Sequence, residues 1–195
     1  METIKTIDLN RLRDEAYQNA VEHGWHDEDL SDEHFLCLVI SELMEAVQAE
    51  RKGKHADRIQ FDNYMSLRER SEEEFKYAFT HGIKDSVEDE LADACIRLLD
   101  LAGLRNVDLG EVDVDELKCS EGFFDWTFTE SIYSIVSDIT DKDYIETHSL
   151  ESYMRVSLRE IMSFCVKKGI DISWHIEQKM KYNRTRPRMH GNNKF

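Results

Sequence analysis

A helix is interrupted where proline removes a backbone donor or where glycine makes the disordered chain cheap, and this chain has little of either. It holds one proline, Pro187, and 8 glycines among 195 residues. Runs of β-branched residues are also few, so helices are expected almost throughout. Apolar residues recur at the matching period. Leu9, Leu12, Ala16 and Ala20 form one stripe between an N-cap at Asp8 and Gly24. Leu36, Ile40, Leu43 and Val47 form a second, capped by Ser31 and running to about Lys52 before Gly53. Val87, Leu91, Ala94, Leu98 and Ala102 form a third, from a Ser86 cap to Gly103. Phe128, Ile132, Ile135 and Ile139 predict a helix over roughly 123–140. Leu150, Met154, Leu158, Ile161 and Cys165 predict another between Ser149 and Gly169. Ser173 is expected to open the last helix, which carries Trp174, Ile176 and Met180 and stops at Arg186-Pro187. The fold class that follows is all-α: a helical bundle in one domain over 1–195, with a four-helix core.

Two stretches fit the pattern less well. Residues 54–84 are highly charged and weakly periodic, and read as an inserted helix or helical pair facing mostly solvent. Residues 104–122 read as a loop with Gly110, Gly122 and scattered acids.

Charge narrows the function classes. A net charge of −16 disfavours nucleic acid and anionic membrane surfaces as partners, though it leaves room for DNA mimicry. The longest purely apolar run, the six residues Phe35 to Ile40, is far too short for a membrane span. Cys37, Cys95, Cys119 and Cys165 are widely spaced without a C-x-x-C, as in a reduced protein, and no signal-peptide pattern opens the chain. A cytoplasmic location is the expectation.

Against this background two acidic pairs stand out: Glu42-Leu-Met-Glu45 and Glu90-Leu-Ala-Asp93. With 41 Asp and Glu present, roughly eight acid pairs at this spacing would arise by chance, so context has to decide. Glu42 and Glu45 lie on the flank of the Leu36–Val47 stripe, beside Phe35, Leu38, Ala46 and Ala49. Glu90 and Asp93 flank the Val87–Ala102 stripe beside Arg97. Ionised groups at the edge of a core are costly unless paired or metal-bound. Two such helices side by side would converge four carboxylates, and oxygen-only ligation suits a hard cation such as Mg²⁺, with Mn²⁺ as a substitute. The competing explanation is an ion-pair network with Arg97 or another base.

The C-terminal segment opposes the body in sign. Of the 25 Lys and Arg, six (Lys179, Lys181, Arg184, Arg186, Arg188 and Lys194) fall in 179–195 with no acid, leaving 19 bases against 41 acids elsewhere. Such a tail either docks on the acidic body or supplies cations to phosphate oxygens.

The two acid pairs, Glu42-x-x-Glu45 and Glu90-x-x-Asp93, resemble the metal-binding motif of the MazG-like all-α nucleoside triphosphate pyrophosphohydrolases, relatives of the dimeric dUTPases and dCTP pyrophosphatases. The stretch Lys179-Met-Lys-Tyr182-Asn183-Arg-Thr-Arg186-Pro187-Arg-Met-His190-Gly191 resembles an ending found in some bacterial and phage members. The resemblance implies hydrolysis of a (d)NTP between the α and β phosphates to a (d)NMP and pyrophosphate, as in nucleotide-pool house-cleaning. It carries Glu42, Glu45, Glu90 and Asp93 over as metal ligands and catalytic residues. Lys179, Tyr182 and Asn183 carry over as phosphate and sugar contacts, and of Arg186, Arg188, His190 and Lys194, which lie beyond the helix, some are expected to close over the triphosphate. It also implies homodimers or homotetramers. Two departures stand against the pattern: Ser41 occupies a position where many members have a second glutamate, so the general base falls to one of the four carboxylates, and the 44 residues between Glu45 and Glu90 exceed the usual connection.

His34 and Trp25 precede the first acidic pair and are candidates for base contact, against plainer roles at the surface and as a plug; Phe35 and Trp174 are expected in the core. Two other functions compete. His23 and His26-Asp27 could belong to a metal-dependent HD phosphohydrolase, which leaves both acid pairs unexplained. A non-enzymatic acidic interaction or regulatory module would need no metal.

Overall fold

The computed structural model describes residues 6–66, 71–119 (Cys119 by its backbone), 125–141, 143 and 147–189. Among them the chain is predominantly helical, as its low proline and glycine content requires. A short strand β1 (Thr6–Asp8) leads into α1 (Leu9–Glu22), and Asp8 caps it through Arg11 N–H at 2.9 Å. Helix α2 (Asp32–Arg51) follows; Ser31 holds its N-cap position in extended conformation but makes no side-chain cap bond. Next come α3 (Arg58–Ser66), α4 (Glu72–Gly82) and α5 (Val87–Leu104). Then β2 (Glu111–Asp113) pairs antiparallel with β1, Ile7 opposite Val112, and continues into α6 (Val114–Cys119). The remaining helices are α7 (Phe128–Ile139), α8 (Leu150–Lys167) and α9 (Ile172–Arg184).

Three sequence expectations are corrected. The stretch 104–122 is not simply a loop: Val112 and Leu117 are buried apolar positions, which anchor β2 and α6. The last helix starts earlier than Ser173, because Asp171 caps it through Trp174 N–H at 3.3 Å. The insertion is not mostly solvent-facing either. Phe61, Phe75, Ala78, Phe79 and Ile83 form a buried cluster of their own, joined by Trp174 and Tyr182 from α9. Aromatic residues are too few and too unevenly spaced there to show as a stripe, yet each buries a large apolar surface.

Helix α5 is the axis of the molecule. Thirteen of its 18 residues are buried, and it packs on α1, α2, α8 and α9. Close approach to α1 depends on Gly103, where a Cβ would stand 2.4 Å from Tyr17 Cβ. The insertion does not disturb the α2–α5 pairing because its two ends meet: Val87 N–H donates to the Lys54 carbonyl at 3.0 Å, and Asp57 N–H to the Gly82 carbonyl at 2.7 Å. No helix among the described residues is long and apolar enough to cross a membrane.

Candidate functional site

Because α2 and α5 pack side by side, Glu45 and Glu90, 45 positions apart in the chain, become neighbours. Glu42, Glu45 and Glu90 each offer a carboxylate oxygen, and these oxygens lie within 4.8 Å of one another. Glu42 and Glu90 are buried, 8% and 6% exposed, whereas Glu45 is exposed. Burial raises the Glu42 carboxyl to about 7, with the charges of Asp93 and Glu45 adding and the Arg97 guanidinium opposing. Burial likewise raises Glu90 to about 8, where Lys179 opposes and Asp89, Asp93 and Glu45 add. Arg97 Nε donates to Glu42 Oε1 at 3.1 Å, so the ion-pair partner suggested by the sequence is present.

Asp93, expected as the fourth ligand, has a different neighbour. Its Oδ2 lies 2.7 Å from Lys179 Nζ, and Lys179 also donates to Asp89 Oδ2 at 2.8 Å. Burial would lower the lysine, but Asp93 and Asp89 outweigh it and raise its pKa. Asp89 is pushed up to about 6 by burial against the pull of Lys179. The ammonium expected on a phosphate is therefore buried in a salt-bridged knot beneath the acid group. A second set of oxygens, from Asp85, Asp89 and Glu90, also gathers within 4.8 Å.

The other residues of the basic helix part company as well. Tyr182 stacks on Phe79, ring centroids 4.4 Å apart and 15° between planes, and so ties α9 to the insertion. Asn183 is buried, and with Arg186 it lines a cavity of about 60 Å³ whose wall also includes Asn19, Asp93, Arg97 and Asp100. Lys179, Tyr182 and Asn183 stand three and four positions apart and can share one helix face, yet they meet different neighbours. His190 and Lys194 lie outside the described residues.

His34 and Trp25 do border a cavity, of about 140 Å³, which shares Trp25, Arg97 and Asp100 with the first. His34 also meets the Phe35 ring edge-on at 5.5 Å. Phe35 is core; Trp174 is only partly buried, under the Arg58 guanidinium at 4.2 Å.

Sequence reasoning missed Asn19, Asp89 and Asp100. Asp100 accepts from or donates to His26 Nε2 at 2.7 Å, and burial raises its pKa while the His26 hydrogen bond lowers it. A signal existed: Glu90, Asp93, Arg97 and Asp100 recur at steps of three and four along one apolar helix, a polar line in a buried element. His26 sits in a turn, where no such periodicity operates. Neither His26 nor His23 belongs to a metal-capable group among the described residues; the His23 ring nitrogens face the Asn19 and Arg186 carbonyls at 2.7 and 3.0 Å. His23 also holds the segment after α9, its carbonyl accepting from Met189 N–H at 3.0 Å, while Arg188 pairs with Asp27 over Gly24.

No family model matches this chain, and neither a curated protein nor a solved structure does.

Proposed function

We propose that the protein is a Mg²⁺-dependent nucleoside triphosphate pyrophosphohydrolase that converts a (d)NTP to a (d)NMP and pyrophosphate. One observation carries the reading: the five carboxylates of Glu42, Glu45, Asp89, Glu90 and Asp93 are gathered on α2 and α5, and their ion partners among the described residues are two, Arg97 and Lys179. The excess of three negative charges must be relieved by protons or by a cation. Glu42, raised to about 7, and Glu90, raised to about 8, are the groups left without sufficient countercharge. An all-oxygen donor set fits Mg²⁺, with Mn²⁺ as a substitute. Glu42, Glu45 and Glu90 would hold it, and Asp93 would join them if Lys179 released its Oδ2.

When bound, the cation supplies charge neutralisation of the triphosphate and acidification of a water. The chain's own residues do the rest. Arg97 orients Glu42, Lys179 holds Asp93 and Asp89 in place, and a carboxylate of the group takes the proton of the attacking water, since Ser41 offers none of the basicity of a glutamate. On this reading the four-helix arrangement around α5 is a metal-binding core, the site works in the cytoplasm, and bundles associate as dimers or tetramers.

A second reading keeps the same contacts without a metal. The Arg97–Glu42 pair and the Lys179 knot are what an acidic, non-enzymatic interaction module would use to stabilise buried charge. Incubation with Mg²⁺ and a panel of (d)NTPs separates the two. The hydrolase releases pyrophosphate as the primary product, loses activity in chelator, and loses it again in Glu42→Gln. Orthophosphate as the first product, or turnover indifferent to chelator, would sink the proposal.

A further inference from the structure

Beside the acid group, the cavity of about 60 Å³ has an unusual wall: two buried amides whose oxygens nothing among the described residues satisfies. Asn19 from α1 is 7% exposed and Asn183 from α9 is 9% exposed, and Oδ1 of each has no hydrogen-bond partner among the described residues. A buried acceptor left without a hydrogen bond is destabilising, so two on one small cavity mark a place where a ligand or water completes the bonding. The same wall carries Asp93, paired with Lys179, and Asp100, bonded to His26, while its Arg97 is already bound to Glu42. The cavity is thus rich in acceptors. Through Trp25, Arg97 and Asp100 it adjoins the second cavity of about 140 Å³, so a flat ligand could reach the amides with one edge while its remainder lies outward beside Trp25.

Resting on the triphosphate reading above, we infer that this cleft is the base-reading subsite and that Asn19 and Asn183 select nucleobases presenting an exocyclic amino group, as in adenine, cytosine and guanine, over those presenting only carbonyl oxygens at that edge. An amino group donates two hydrogens, matching the two unsatisfied acceptors of this wall; a carbonyl in its place would meet the oxygens of Asn19 and Asn183 lone pair to lone pair. Discrimination of this kind is large where a site is built for a hydrogen bond, because the wrong ligand leaves the buried partners unsatisfied. Arg186, on the same wall, remains for an oxygen of the sugar or phosphate.

The decisive comparison uses pairs differing in that group: dATP against dITP, and dCTP against dUTP. Affinity of the intact protein for their non-hydrolysable α,β-imido analogues with Mg²⁺ is measured by calorimetry, and kcat/KM by pyrophosphate release. At least one amino-bearing member is expected to be preferred over its oxo partner by about tenfold or more, the worth of one or two hydrogen bonds. Asn19→Ala and Asn183→Ala each reduce that ratio towards one, and Asn→Asp at either position, which keeps an acceptor, retains most of it. Equal or reversed affinity within both pairs overturns the inference, as does a ratio untouched in variants whose melting shows them folded, the outcome expected if the cavity holds water alone. The two readings fail separately. A preserved binding preference without pyrophosphate from any nucleotide would refute the hydrolase and leave the subsite standing, whereas pyrophosphate released without regard to the amino group would do the reverse. Binding of no nucleotide refutes both.

Discussion

Two clusters of acids, each with buried members, meet near the start of α5, and they are neutralised differently. In one, Asp89 and Asp93 share a single buried ammonium at 2.8 and 2.7 Å, and Lys179 holds both in place. In the other, Glu42, Glu45 and Glu90 converge with one guanidinium, on Glu42 alone. The first resembles a finished structural element; the second is incomplete without protons or a cation. Buried acids are thus not one class of feature: what separates scaffold from site is whether the countercharge is built in.

Removing one charge from each cluster should have different consequences. The largest effect is on turnover: Glu90→Gln is expected to lower Mg²⁺-dependent pyrophosphate release by about 10³-fold, ~4 kcal/mol of barrier, with the fold retained. Activity within a few-fold of the parent would remove Glu90 from the site. In the finished cluster, Lys179→Met leaves the buried Asp89 and the partly buried Asp93 without their cation and is expected to cost about 3–5 kcal/mol in urea unfolding. A cost near zero would mean that Asp89 and Asp93 are solvated, and that the contrast between the clusters is false.

Next in size is the pH response. Glu90 is pushed up to about 8 and Glu42 to about 7 from an ordinary 4.5, so the folded chain holds these protons more tightly than the unfolded chain. Their favourable contribution is present below pH 4.5 and is lost as pH rises to 7 and 8. In chelator, stability should therefore fall across this window. Saturating Mg²⁺ should oppose the fall, by about 2.7 kcal/mol at a hundred times Kd, and should act more strongly at pH 8 than at pH 5. Equal melting shifts at both values would break the link between the raised carboxyls and the cation. The smallest effect is the reverse of the Lys179 result: in chelator at pH 8, Glu90→Gln should stabilise by about 1 kcal/mol, a Tm rise of ~2–4 °C. Destabilisation would show that the ionised glutamate already has its partner.

Legibility in the sequence followed the range of the interactions involved. The helices of α1, α2, α5, α7 and α8 were readable because a stripe such as Val87, Leu91, Ala94, Leu98 records burial in a local period. Asp8, Ser86 and Ser149 were readable as caps because a cap bond spans three residues. Ser173 misled where Asp171, two residues earlier, supplies the acceptor. The insertion's core was missed because Phe61, Phe75 and Phe79 are made a cluster by contacts between α3, α4 and α9, which leave no period in any one of them.

The same division runs through the site. The chain by itself determined that helices form, that Glu42 with Glu45 and Glu90 with Asp93 each share a helix flank, and that these flanks border apolar stripes, since all of this follows from 3.6 residues per turn. Only the tertiary structure decided which acids meet and which are answered. Closure of the insertion at Lys54 and Val87 lets α2 lie on α5 and brings Glu90 to Glu42 and Glu45, and the docking of α9 delivers Lys179 to Asp89 and Asp93 and puts Asn183 on the same cavity wall as Asn19. Helical periodicity fixes direction around one axis. Charge balance depends on how several axes are packed, and no local pattern encodes that.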